Sequence, residues 1–227
     1  MAQHALARRG FEVRRHHAAR RQRMLARHGV DLVLDVGAAR GGFGSQLRAF
    51  GYTGRIVSFE PLADAYADLS RTVAADPAWQ AHHLALGSEA GAATINVASN
   101  SDSSSLLPML DAHRAAAPQV GYVDTQEVRL ARLDDLAGEA LAASAAAYLK
   151  IDTQGFEREV LAGAPATLEQ VVGLQLELSF VPLYGGGMTV DEAVAWAYAQ
   201  GFHLVGIEQG YAAPTGEILQ VDGVFWR

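Results

Sequence analysis

Three short stretches of this 227-residue chain hold residue types that could act together chemically. The first is a glycine-rich turn, Asp35-Val-Gly-Ala-Ala-Arg-Gly-Gly-Phe-Gly44, where a strand-like apolar run hands over to a helix-like one. Glycine allows close backbone approach and positive φ, and the helix start beyond it offers unpaired amides to a carboxylate or phosphate. The second is Glu60-Pro61, at the end of the next strand-like run and 23 positions after Gly37. A carboxylate so placed can accept both hydroxyls of a ribose. Together these two stretches read as a site for an adenosine-bearing cofactor, whereas the blander role of the turn is to pack helix on sheet. The third is Asp152-Thr-Gln-Gly155, which breaks another apolar strand, with Glu177 near the end of the strand that follows. Asp152 would otherwise serve as an N-cap for a helix starting near Phe156.

The turn alone does not name the cofactor. A dinucleotide fingerprint requires Gly-x-Gly-x-x-Gly, and from Gly37 the chain reads Gly-x-Ala-x-x-Gly, with Ala39 at the second glycine. Read as Asp-x-Gly-x-x-x-Gly (Asp35, Gly37, Gly41), it resembles motif I of class I methyltransferases. There the acid and the glycine backbone surround the amino-acid end of S-adenosylmethionine. NAD enzymes also place an acid after the second strand, so both cofactors stay open at this point.

The elements that must position these residues alternate from residue 30 onward, which predicts βαβ units and a parallel sheet. Strands are expected at 30–36, 55–59, 79–86, 147–151 and 171–178, the last apolar almost throughout, as in a strand buried on both faces. Helices are expected at 44–50, 62–75, 156–162 and 189–200, with an alanine-rich one before 147. Residues 92–98 and 126–133 alternate like exposed strands, and the Ser/Asn/Asp cluster at 99–105 reads as a loop. Residues 202–207 and 218–226 suggest a closing antiparallel hairpin. On this reading Leu84, Ala85 and Leu86 wall an adenine, and Ser103, Ser104 and Ser105 offer hydroxyls to the cofactor. His82 and His83 point to opposite faces as packing residues. Tyr184 with the glycines at 185–187 reads as a mobile lid.

Charge is unevenly spread within the net −7. Residues 1–27 carry eight arginines against Glu12 alone, and the other 200 hold ten basic and 24 acidic residues. An acidic body repels a nucleic-acid backbone, so no nucleic-acid partner is expected. Leu6, Phe11, Val13, Met24 and Leu25 lie scattered among the arginines, which reads residues 1–29 as a basic helical arm packed on that body. Residues 30–227 then form one domain. The absence of cysteine removes disulfides, zinc–thiolate sites and thiol catalysis, and fits the cytoplasm. No apolar run is long enough to span a bilayer, and no secretory segment is expected at the start. Lys150 is the one lysine against 17 arginines, a bias that reads as a GC-rich, bacterial genome.

The motifs fall in a telling order: residues 36–44, Phe59-Glu60-Pro61, Ala85-Leu86-Gly87, Ser103 to Leu106, 149–157 with its Lys-Ile-Asp-Thr-Gln-Gly-Phe-Glu run, Glu177-Leu178-Ser179, Pro182 to Gly185 and Gln220 to Phe225. That order resembles the FkbM-type methyltransferases over roughly residues 30–227. Ala39 departs from it, since such proteins commonly carry asparagine there. The resemblance implies an α/β, class I methyltransferase (Rossmann-like) fold with a mostly parallel seven-stranded sheet and a C-terminal antiparallel hairpin. It also implies methyl transfer from S-adenosyl-L-methionine to a hydroxyl of a natural product, sugar or glycolipid. Cofactor contacts then fall to Asp35, Gly37, Ala38, Ala39, Gly41, Phe43, Glu60, Pro61, Leu84, Ala85, Leu86, Ser104 and Asp152. An alcohol must lose its proton, and Asp152, with Glu177 and Gln154, is expected to polarise the acceptor. Two close carboxylates would share a proton; holding Mg²⁺ is the weaker option, with neither a dense acidic cluster nor a His-x-x-x-His spacing. The competing readings are an NAD-dependent oxidoreductase and a non-catalytic cofactor-binding partner protein. A homodimer is compatible with all of them.

Overall fold

The computed structural model describes residues 8–11 and 16–227, so Leu6 and Val13 of the expected arm lie outside the described residues. In chain order the strands are β1 (Leu32–Val36), β2 (Arg55–Glu60), β3 (Trp79–His83), β4 (Ala85–Leu86), β5 (Gly91–Ala98), β6 (Tyr122–Ala131), β7 (Ala147–Ile151), β8 (Val171–Ser179), β9 (His203–Gln209) and β10 (Gln220–Trp226). The helices are α1 (His17–Arg27), α2 (Gly42–Ala49), α3 (Ala63–Val73), α4 (Asp111–Ala116), α5 (Leu133–Leu136), α6 (Gly138–Ala142), α7 (Glu157–Ala162), α8 (Pro165–Gln170) and α9 (Val190–Ala199).

Seven strands form one sheet in the order β3-β2-β1-β7-β8-β10-β9, parallel except for β10, which runs against both β8 and β9. This is the mostly parallel sheet with an antiparallel C-terminal pair that the motif order implies. Every residue of β1 and β7 is buried, because helices cover both faces. Leu32, Leu34, Leu149, Leu174 and Phe225 pack on one face with Val160, Leu168 and Phe202. Val33, Tyr148, Val224 and Trp226 pack on the other with Leu25 and Leu47. Helix α1 buries Ala18, Arg21 and Leu25, a spacing that puts one stripe of the helix on the sheet.

A second, three-stranded sheet, β4-β6-β5, differs from what the sequence suggests. The third strand was expected to run through Leu86, but β3 stops at His83, and Ala85–Leu86 leave the main sheet to pair with Leu130 and Ala131. Leu84, Ala85 and Leu86 are all buried, so an unbroken apolar run conceals the change of partner. The alanine-rich stretch likewise forms two short helices, α5 and α6, instead of one. Helix α9 begins with a full capping box between Thr189 and Glu192.

Strand order reverses at β1, so the crevice beyond the carboxyl ends of β1 and β7 is where a ligand binds in an open α/β sheet. Registry there aligns polar residues on the face covered by α1 and α2. Asp35 pairs with Lys150, and Lys150 with Gln175. One step further, Glu177 pairs with Asp222, and Asp222 with Glu208.

Candidate active site

A cleft of about 520 Å³ occupies this crevice. Gly37, Ala38, Ala39, Phe43, Glu60, Pro61, Leu84, Ala85, Leu86, Ser104, Asp152 and Gln154 all line it. Three of the cofactor and catalytic residues that the resemblance implies do not. Asp35 is wholly buried beneath the floor, Gly41 caps α2 in a left-handed conformation, and Glu177 stands behind Gln154.

The turn is held by its neighbours on both sides. The amides of Gly37 and Ala38 donate to the Phe59 carbonyl at 3.0 and 3.1 Å, and the Asp152 amide donates to the Val36 carbonyl at 3.0 Å. Gly37 has φ +74°, and a Cβ there would stand 1.8 Å from the Asp152 carbonyl oxygen, so β1 and β7 can close on one another only around glycine. Ala39 takes φ 47° with no such excuse, and Ser101 and Gln154 (φ 65° and 54°) share the left-handed region. All three line the cleft, which concentrates backbone strain at the site.

Charge is organised around Lys150. Its ammonium donates to the Gly37 carbonyl at 3.0 Å and lies 3.3 Å from Asp35 Oδ1 and 3.5 Å from Asp152 Oδ2. Burial works against its charge, but Asp152, Asp35 and Asp222 outweigh that and raise its pKa, so it stays a cation. Glu60 accepts from the amides of Ala39 (2.8 Å, Oε2) and Leu62 (2.9 Å, Oε1). Burial pushes its carboxyl up to about 7, against the pull of those amides and of Lys150.

Gln154 is the clamp. Its amide nitrogen donates to Asp152 Oδ1 at 2.9 Å and to both oxygens of Glu177 at 3.1 and 3.2 Å. Its amide oxygen accepts from the Tyr184 hydroxyl at 2.8 Å, and its carbonyl from the Ser105 hydroxyl at 2.7 Å. Burial, then the charges of Asp152, Glu157 and Asp222, raises the Glu177 pKa well above the carboxylate range. Glu157 serves the turn itself, accepting from the amides of Thr153 and Gly155 at 3.0 and 3.1 Å. Tyr184 is buried and bonded to Gln154 and does not line the cleft, so it is placed as a support beneath Gln154 and not as the expected lid. The serines also turn inward: the Ser104 hydroxyl accepts from the Ala98 amide, and the Ser103 hydroxyl accepts from Asn100. His82 stacks on Phe59 and His83 on Tyr66, and neither lines the cleft.

Under α1 the cleft extends into a polar lobe. Arg21 lies 4.6 Å from the Phe43 ring centroid and bonds Glu208, Gln175 and Gln46. Asp222 also lines the lobe; burial, reinforced by the Asp152 charge and opposed by Lys150, pushes its carboxyl up to about 6. Among the described residues, no three His, Asp or Glu side chains are grouped to hold a metal ion. No helix among them is long and apolar enough to cross a membrane.

The family model of the FkbM methyltransferase domain matches residues 35–204. The chain belongs to that family. Among solved structures, methyltransferase FkbM from Methylobacillus flagellatus KT is similar at TM-score 0.54 and 12% identity, covering 87% of this chain and 43% of that one. The present FkbM domain thus spans less than half the length of that protein, and at this identity the likeness concerns the fold. Precorrin-6y C5,15-methyltransferase from Geobacter metallireducens GS-15 is more remote (TM-score 0.44, 12% identity, 86% of this chain and 80% of that). So is Aeropyrum pernix fibrillarin with natively bound S-adenosyl-L-methionine (TM-score 0.45, 10% identity, 86% and 66%). No curated protein matches the sequence.

Sequence reasoning missed Arg21, Gln175, Glu208 and Asp222 as residues of the FkbM-domain cleft. Nothing in the local sequence of any of them marks it out, and only strand registry and the docking of α1 bring them together. The signal available was the polar residue itself: Gln175 and Glu177 interrupt the buried strand β8 on one face.

Proposed function

We propose that this FkbM domain is a methyltransferase that uses S-adenosyl-L-methionine to methylate a hydroxyl of a small molecule, in the natural-product, sugar or glycolipid range. The observation that carries this reading is the meeting of three features at one cleft: the Gly37 turn, the Glu60 carboxyl and the Asp152–Gln154–Glu177 clamp. The residues present fit the cofactor. A cleft of about 520 Å³ is within the range of small-molecule sites. Each Glu60 oxygen spends one lone pair on an amide and keeps another for a ribose hydroxyl. Pro61, Leu62 and Leu84 to Leu86 offer apolar surface for a base. When bound, the cofactor supplies a methyl group on a sulfonium, already activated for transfer.

What remains for the protein is to orient the acceptor and receive its proton. Asp152 faces the cleft with one oxygen fixed by Gln154 and the other by Lys150, so its carboxylate is aimed rather than free to rotate. It is the group assigned to take the hydroxyl proton. Burial and the charge of Asp152 drive Glu177 toward its neutral form, which eases the repulsion between the two carboxyl groups.

Calorimetry on the purified chain tests the cofactor: S-adenosylmethionine and its demethylated product should bind in the micromolar range, and NADH should not. Transfer of labelled methyl to a panel of hydroxylated acceptors tests the chemistry. Asp152→Ala should keep cofactor binding and lose turnover; unchanged turnover would remove Asp152 from the mechanism.

A further inference from the structure

The polar lobe beneath α1 is not accounted for by the glycine turn or by the Gln154 clamp. Its centre is an ion pair withdrawn from water, Arg21 at 2% and Glu208 at 3% exposure, joined from Arg21 Nη1 to Glu208 Oε2. Gln175 accepts from the same Nη1 and Gln46 from Nη2, and His17 stands 3.9 Å from the same Glu208 oxygen. Arg21 Nε and Glu208 Oε1 nevertheless remain buried without a hydrogen-bond partner, although both side chains line the cleft. Buried polar atoms are nearly always paired. An unspent donor on a cation beside an unspent acceptor on an anion is complementary to a ligand that carries an anion and a cationic donor side by side.

We propose that Arg21 and Glu208 receive the α-amino-carboxylate end of the cofactor, Arg21 facing the carboxylate and Glu208 the ammonium. This rests on the S-adenosylmethionine reading above. The lobe opens directly off the glycine turn: Phe43 carries Arg21 at 4.6 Å on its ring and Lys150 at 5.5 Å, and Lys150 donates to the Gly37 carbonyl. A pair of acceptor hydroxyls would also match one donor and one acceptor. A zwitterion is the better complement, because both free atoms belong to charged groups already stripped of water, and hydrogen bonds with a charge on each side are the strong ones. Neither residue lies within the family match at 35–204. The contact comes from Arg21 of helix α1 and Glu208 of strand β9, one on each side of that match.

The test compares two ligands by calorimetry on the full chain: S-adenosylhomocysteine, and 5′-methylthioadenosine, which keeps the thioadenosine but lacks the amino-acid end. Wild type should bind the first more tightly. Arg21→Gln should weaken S-adenosylhomocysteine by about 10- to 100-fold, the worth of a charge-assisted hydrogen bond, and leave methylthioadenosine within about two-fold. Retained methylthioadenosine binding reports an intact fold. Arg21→Lys, which keeps a cation, should recover part of the loss, and Glu208→Gln should narrow the same preference. An unchanged ratio of the two affinities in Arg21→Gln, or an equal fall in both, overturns the proposal. So does an effect confined to acceptor KM, which would give the pair to the acceptor. A wild-type protein that binds neither ligand overturns the cofactor reading together with the subsite.

Discussion

Replacing Glu60 with glutamine should make the protein more stable at alkaline pH while weakening its hold on the cofactor. Glu60 is 5% exposed, and burial moves its carboxyl from the ordinary 4.5 to about 7. A folded pKa raised above the unfolded one means that the folded state holds the proton more tightly. The stabilising contribution is then complete below 4.5, declines as pH rises, and is gone once pH exceeds about 7. A shift of this size corresponds to about 3.5 kcal/mol at most, taking ~1.4 kcal/mol per pKa unit. Glutamine carries no charge and escapes the loss. It has its own cost, because one of the two amides that Glu60 satisfies, of Ala39 or of Leu62, would face an NH₂ group. That cost is about 1 kcal/mol and does not depend on pH. The clean observable is therefore a difference of differences: urea unfolding of wild type and Glu60→Gln at pH 5 and at pH 8.5. The variant should gain about 2–3 kcal/mol on wild type between the two pH values. If the gap between the two proteins stays constant to within about 0.5 kcal/mol, Glu60 is not held near neutrality by its burial, and the reasoning fails.

Other outcomes follow from the same geometry. Lys150→Met strips the wholly buried Asp35 of its counter-charge, so unfolding stability should drop by about 3–5 kcal/mol. Much of that should return in the Lys150→Met, Asp35→Asn double variant, as chemical denaturation would show. Ala39→Asn places a residue that tolerates the left-handed region at φ 47°, and should raise stability by about 0.5–1 kcal/mol in a urea melt. Gln154→Leu releases Asp152, Glu177 and Tyr184 together. Methyl transfer should fall by about ten-fold or more while cofactor affinity, measured separately by calorimetry, changes by only a few-fold.

The sheet was legible because its central strands are short and mostly apolar, as at residues 147–151 and 171–178, where Lys150, Gln175 and Glu177 are the polar exceptions. The second sheet was not. Leu84, Ala85 and Leu86 look like a continuation of β3, and only the partners offered by β6 turn them aside. At the site, Gly37 and Glu60 announce themselves by local spacing, since each needs only its own strand end. Asp35 carries the same kind of signal, yet its carboxylate turns down to Lys150 and Ser58 instead of to the cleft. The polar lobe was invisible for a different reason. Arg21 is one of eight arginines in the basic arm, and nothing local distinguishes it until Glu208, some 187 positions away, lies opposite.

The burial of the chain's one lysine has a practical consequence. Lysyl endoprotease has a single site within these 227 residues, after Lys150, in the middle of the sheet and 5% exposed. Cutting there requires β7 to leave its neighbours, so the rate at which the chain divides into residues 1–150 and 151–227 measures how often the cleft floor opens. A ligand that stabilises the floor will slow the cut. Because the protein carries this gauge by nature, compounds can be screened for binding before any methyl acceptor is known.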